Sequence, residues 1–211
     1  MSAKHQGPAL DPSGKDQYST PSWCIERLLE FWQPPKTGML VEPCVGEGVF
    51  VKTINRIIGE RSWITHDIDP VYDNADFTGD FLLETTPPWS LKVSCVISNP
   101  PYNQAEDIIR HSRFLYPLAD IVMLLRMAFL ESEARIDFFK EMGQPDMYNL
   151  PNRPSFRNSR GKDGLGPEKK GSTDMAAYSF FAFPVEPRDF GVHRSLNTTP
   201  LAIRKPKEVK G

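Results

Sequence analysis

The sequence predicts a doubly wound α/β domain: a mainly parallel sheet with an antiparallel edge strand, flanked by helices. Three observations carry that prediction. Short apolar, strand-like runs alternate with amphipathic helical stretches, the pattern of successive βαβ crossovers. Strands early in the chain run into turn-forming segments, Pro43-Cys44-Val45-Gly46-Glu47-Gly48, Asp67-Ile68-Asp69-Pro70 and Asn99-Pro100-Pro101-Tyr102. The last two strand-like runs, 147–150 and 178–183, are separated by an Arg-, Lys-, Gly- and Pro-rich segment, 151–173, long enough to return the chain antiparallel.

Each element has a local reason. Residues 1–17 are polar, contain glycine and proline and show no period, so they read as a flexible segment. Ser19-Thr20-Pro21 supplies capping residues and a first-turn proline, and Trp23, Ile25, Leu28, Leu29 and Trp32 follow on one helical stripe that Pro34-Pro35 ends. Residues 38–42 read as a strand, and 49–58 as a helix with Val51, Ile54, Ile57 and Ile58 apolar. A second strand covers 63–66. Gly79-Asp80-Phe81 lies in the approach to the apolar run 93–98, which ends abruptly at two prolines. A helix over 104–116, a buried strand over 121–125 and a helix over 131–140 precede the closing strands.

The length of 211 residues suits one domain with tails: a flexible segment 1–17, a domain 18–186 with a basic loop 151–173, and a flexible basic tail 187–211. No apolar run approaches the ~20 residues that span a bilayer, so no membrane partner is expected. No apolar stretch of the secretory type follows the N-terminal charges. Cys24, Cys44 and Cys95 form no CxxC pair, which fits a reducing compartment. The net charge of −2 conceals a division: residues 1–149 hold 13 Lys+Arg against 21 Asp+Glu, whereas 150–211 hold 12 against 6. The basic end suits a polyanionic partner. His5, His66, His111 and His193 lack metal-ligand spacing, and no nucleophile–base pair is evident, so no metal is expected. Arg126, ending a buried strand, reads as a structural residue.

Asn99-Pro100-Pro101-Tyr102 is the most informative segment. Neither proline can donate to a strand ladder and the residue before each is held extended, so the chain is fixed at a strand's carboxyl end, where open α/β sheets bind ligands. The segment offers an amide, a carbonyl and an aromatic face, groups suited to a planar amine. Upstream, Gly46 and Gly48 let the backbone pass close to a ligand while the next helix aims free N–H groups at the same place. The third glycine of the dinucleotide fingerprint is missing and Glu42 ends the strand, so a ligand with a free ammonium group fits better than a pyrophosphate. Asp67, about 20 residues after the glycine turn, stands where a carboxylate of a doubly wound fold accepts ribose hydroxyls. Asp80 and Phe81 suit an adenine edge and ring. A ligand with amino-acid, ribose and adenine parts is S-adenosylmethionine.

From Tyr18 to about Phe183 these residues resemble the γ-like amino-methyltransferases that modify exocyclic amines, most closely the phage-type and restriction-type adenine-specific DNA methyltransferases. The resemblance implies the class I methyltransferase fold with a seven-stranded sheet. It implies that Tyr18, Thr20 and Pro21 contact the methionine part of the cofactor. Glu42, Pro43, Cys44, Gly46 and Gly48 form the glycine motif, Asp67 meets the ribose, Ile68 lies beside it at the cofactor, and Asp80 and Phe81 meet the adenine. The catalytic motif is Asn99, Pro100, Pro101 and Tyr102, with Asn99 also at the cofactor. Asn99 Oδ1 and the Pro100 carbonyl would each accept one N–H of the amine, and Tyr102 would stack on a base turned out of the duplex. Asn99 is uncharged, so it orients and polarises rather than removing a proton. Phe156 is the expected second wall for the base, with Arg153, Arg157, Arg160, Lys162, Lys169 and Lys170 as phosphate contacts.

DNA is thus the expected partner, in the cytoplasm of a bacterial or phage-infected cell. The long target-recognition domain of restriction enzymes is missing from the pattern, which points to loose specificity or a separate specificity partner. Three alternatives share the motif or the fold: transfer to a protein glutamine, transfer to an RNA amine, and a non-catalytic cofactor-binding module.

Overall fold

A computed structural model describes residues 18–87, 90–154, 156–158 and 176–196, with Tyr18, Arg157 and Asn158 described by their backbone. The elements follow in order: β1 (Tyr18–Ser19), α1 (Ser22–Leu29), β2 (Met39–Glu42), α2 (Val49–Ile58), β3 (Trp63–Asp67), β4 (Phe77–Thr78) and β5 (Val93–Ser98). Then come α3 (Ala105–Leu115), β6 (Asp120–Arg126), α4 (Ile136–Met142), β7 (Asp146–Asn149), β8 (Arg157–Asn158), β9 (Tyr178–Phe183) and β10 (His193–Ser195).

The main sheet runs β10-β7-β9-β6-β5-β2-β3-β4, and β1 and β8 form a separate antiparallel pair. Strand β2 has β3 on one side and β5 on the other, both parallel, so the strand order reverses between β2 and β5. A crevice therefore opens at the carboxyl ends of these two strands, the position at which open α/β sheets hold ligands. β5 and β6 are short, almost wholly buried apolar runs, as strands covered on both faces must be. Cys24, Ile25 and Leu28 of α1 and Phe50 and Ile54 of α2 pack on one face with Leu40, Ile97, Leu124 and Phe180. Ile108 and Ile109 of α3 and Phe138 and Met142 of α4 pack on the other with Val96, Met123, Phe181 and Phe183. Phe129 meets Phe138, Phe139 and Phe181 edge-on at centroid separations of 5.6 to 6.0 Å, a tightly interlocked corner under α4.

The doubly wound class matches the sequence prediction, with four differences. The sheet has eight strands rather than seven: the six runs read as strands are all present, and Phe77–Thr78 and His193–Ser195 add a short strand at each edge. The antiparallel strand is interior: β9 pairs over its full length with β6 and again with β7, and the edge beyond β7 is taken by β10. Residues 187–196, expected as part of a flexible tail, are built into the fold. Asp146 of β7 accepts hydrogen bonds from Arg188 Nη2 (2.6 Å) and Val192 N (2.7 Å), and Leu196 is buried in the core. The fourth helix also starts later than expected, because residues Glu133–Arg135 form a tighter 3-10 turn ahead of it. The expected flexible segment 1–17 and most of the basic loop lie outside the described residues.

Candidate active site

Glu42 ends β2 and is 1% exposed, with Oε2 making no hydrogen bond among the described residues. Burial holds its carboxyl well above the ordinary carboxylate range; the Val51 N–H at the start of α2 opposes this rise and the Asp67 charge adds to it. The turn that follows is left-handed at Gly46 (φ +50°) and Gly48 (φ +69°), the latter also capping α2. The left-handed conformation favours glycine at Gly48, and a Cβ there would stand 2.9 Å from Asn74 Nδ2, the end of a side chain that can shift. Val45 N donates to the His66 carbonyl and Gly46 N to Asp67 Oδ2 (2.8 Å), which fastens this turn to the end of β3. Asp67 Oδ1 accepts from Asp69 N, and Ser19 Oγ donates to Glu47 Oε2 at 2.7 Å, drawing β1 onto the same turn.

At the end of β5, Asn99 lies between the two halves of the crevice. Its Nδ2 donates to Thr20 Oγ1 at 3.1 Å, and its buried Oδ1 accepts no hydrogen bond among the described residues. Gln104 N donates to the Pro101 carbonyl, so the double-proline segment leads by a tight turn into α3. Asp80 Oδ1 caps the next turn by accepting from Leu82 N at 3.0 Å. Phe81 is buried edge-on against His66 and His111. Burial pushes the His66 imidazole below its ordinary value.

These pieces enclose one cleft of about 510 Å³. Thr20, Glu42, Pro43, Cys44, Gly46, Asp67, Ile68, Asp80, Phe81 and Asn99 all line it. Ile68 is 56% exposed there, an apolar side chain left open to a ligand face. Pro21 and Gly48 stand behind the wall as the caps of α1 and α2, and the Tyr18 backbone pairs with Asn158 in the small ribbon. Pro101 touches the cleft, whereas Tyr102 sits outside it, packed on both core clusters and tilted against Tyr178. Phe156 meets Tyr178 edge-on at 4.9 Å, so it and Tyr102 stand against the same tyrosine. Arg153 is exposed. Arg157 is described by its backbone in β8, and Arg160, Lys162, Lys169 and Lys170 lie outside the described residues.

Tyr72, Asn103 and Gln104 also line the cleft without having been expected there. Tyr72 is brought in by the turn that Asp69 builds through its side chain and carbonyl, and the Asp-Pro pair was its one sequence signal. Among the described residues no group of three His, Cys, Asp or Glu side chains could hold a metal ion, and no helix is long and apolar enough to cross a membrane. Cys24, Cys44 and Cys95 are free thiols.

Solved structures share this architecture. A methyltransferase subunit of a type I restriction-modification system from Streptococcus thermophilus superposes with TM-score 0.56 at 12% identity, over 80% of this chain and 44% of that one. A modification subunit assigned to a type I restriction enzyme of Vibrio vulnificus YJ016 gives 0.58 at 13%, over 90% and 48%. The fold is that of the class I methyltransferases. A dimethyladenosine transferase from Plasmodium falciparum superposes with TM-score 0.50 at 16% identity, over 78% of this chain and 62% of that one. This chain spans about half the length of the two type I subunits. No protein-family model and no curated protein sequence matches it.

Proposed function

We propose that this methyltransferase-fold protein transfers a methyl group from S-adenosylmethionine to the exocyclic amine of adenine in DNA. The observation that carries the reading is Asn99. A buried carbonyl oxygen without a donor costs about 1–3 kcal/mol, a cost that an incoming N–H removes. Asn99 Oδ1 is such an oxygen, and its amide is held by Thr20 rather than free to turn. A planar amine offers two N–H groups, one for Asn99 Oδ1 and one for the Pro100 carbonyl. Accepting both draws the nitrogen toward a tetrahedral form and frees its lone pair for in-line attack.

The cleft suits the cofactor. Glu42 Oε2, buried and unsatisfied, answers an ammonium group. Asp67 lines the cleft at the end of β3, held there by backbone N–H bonds from Gly46 and Asp69, where its carboxylate would meet ribose hydroxyls. Ile68 offers its exposed apolar side chain to the adenine, Phe81 a wall, and Asp80 its second oxygen. When bound, S-adenosylmethionine supplies an electrophilic methyl group on a sulfonium. The protein's own part is to orient the amine and exclude water.

DNA is favoured over a protein amide by the basic charge of residues 150–211 and by Phe156, which stands with Tyr102 around Tyr178 as aromatic walls for a base. A separate specificity partner would supply sequence choice. The test offers methyl-labelled S-adenosylmethionine with duplex DNA, single-stranded DNA, RNA and protein, followed by digestion. Label in N6-methyladenine from DNA is expected; label confined to RNA or to protein glutamine, or none at all, overturns the reading.

A further inference from the structure

We propose that Arg126 and Tyr178 are positioning residues of the acceptor pocket, locking Tyr102 and coupling it to Phe156 so that the two aromatic walls act as one unit. The proposal rests on the reading of Tyr102 as the base-stacking residue.

The antiparallel register of β6 and β9 sets Arg126 directly opposite Tyr178, at the end of β6 nearest the cleft. Alternation along β9 turns Tyr178 to the same face as Phe180 and Ala182, the face covered by α1 and α2. Arg126 Nε donates to Tyr178 Oη at 3.1 Å, and its guanidinium lies over the Tyr102 ring, 4.8 Å from the centroid. Tyr178 is 1% exposed, so its hydroxyl needs a partner inside the protein, and Arg126 provides one. Its ring then touches both walls, Tyr102 at 5.8 Å and Phe156 at 4.9 Å between centroids.

The guanidinium meets two aromatic groups, once as a cation on a ring face and once as a donor to a phenol. A planar guanidinium does both at once, which a lysine ammonium cannot. Its consequence is geometric. Tyr102 follows two prolines that fix its backbone, and the guanidinium over one ring face fixes its side chain. Phe156 lies near the start of the basic loop, so Tyr178 is the means by which this part of the loop keeps its distance from the double-proline turn.

The experiment uses the full chain with unmethylated DNA and labelled S-adenosylmethionine, and compares Arg126→Met, Arg126→Lys and Tyr178→Phe. We expect Arg126→Met to lower kcat/KM for DNA about 30-fold, Arg126→Lys less, and Tyr178→Phe about tenfold. Cofactor Kd should stay within about twofold, since neither residue lines the cleft. The deciding arm is the double variant. Arg126 acts through Tyr102, so Arg126→Met added to Tyr102→Ala should cost nothing further. Multiplying losses would show that Arg126 works independently, for instance on a phosphate, and would overturn the proposal, as would unchanged kcat/KM in the single variants. A wild-type chain inactive on every acceptor would instead remove the functional reading itself and the positioning role with it.

Discussion

Asn99 Nδ2 donates to Thr20 Oγ1 at 3.1 Å, tying the end of β5 to the residue just ahead of α1. Two segments 79 positions apart in the chain are thereby set against each other, and the Asn99 oxygen is left as the free end of its amide. Thr20→Val removes the acceptor and lets the amide turn. Single-turnover methyl transfer should fall about tenfold, the effect of one lost buried hydrogen bond, while Thr20→Ser stays near wild type.

If Glu42 answers the cofactor's ammonium group as proposed, cofactor binding should be pH-dependent. Burial raises its carboxyl in the ligand-free protein, so folding favours the protonated form. That contribution to stability is complete below the ordinary carboxylate value and is lost as pH rises through the raised folded value. An ammonium group at Oε2 lowers the same value, so binding releases a proton and affinity climbs with pH across that window. Titration calorimetry in buffers of different protonation enthalpy should register the release. Glu42→Gln should abolish it, weaken cofactor binding about 10–100-fold, and leave the ligand-free protein at least as stable as wild type.

Gly143→Ala tests the inclusion of residues 187–196 in the fold. Gly143 has φ +76°, and a Cβ there would stand 2.6 Å from Arg188 N and 2.9 Å from Pro187 Cα, both backbone atoms. The loss should be about 2–4 kcal/mol in urea unfolding, with faster proteolysis between 186 and 196. If those residues were a loose tail, only the conformational term, about 1–3 kcal/mol, would remain, and proteolysis between 186 and 196 would be unchanged by the substitution.

The strands that form the centre of the sheet were legible because their apolar runs are continuous: Val93–Ser98 and Tyr178–Phe183 end where the sequence says they end. Helix α2 was equally clear, between Gly48 and Gly59, both at positive φ. What was hidden depends on partners distant in the chain. His193–Ser195 is wholly exposed and carries no apolar alternation; it is a strand because β7 pairs with it and Asp146 holds the segment before it. The interior place of β9 is a matter of pairing order, on which periodicity is silent. In the site, acids and glycines at strand ends could be found by spacing. Arg126 read as a structural charge and Tyr178 only as the start of a strand, because their contact arises only when two antiparallel strands bring them opposite each other.

The central claim is that Asn99 presents its oxygen to the amine of an adenine. Its most direct measurement is the nucleoside composition of unmethylated DNA after incubation with methyl-labelled S-adenosylmethionine and either wild-type protein or Asn99→Ala, with cofactor Kd measured in parallel. The account predicts N6-methyladenine with the wild type, a loss of about 1,000-fold or more with Asn99→Ala, and nearly unchanged cofactor Kd. An Asn99→Ala protein that methylates adenine at the wild-type rate would contradict it.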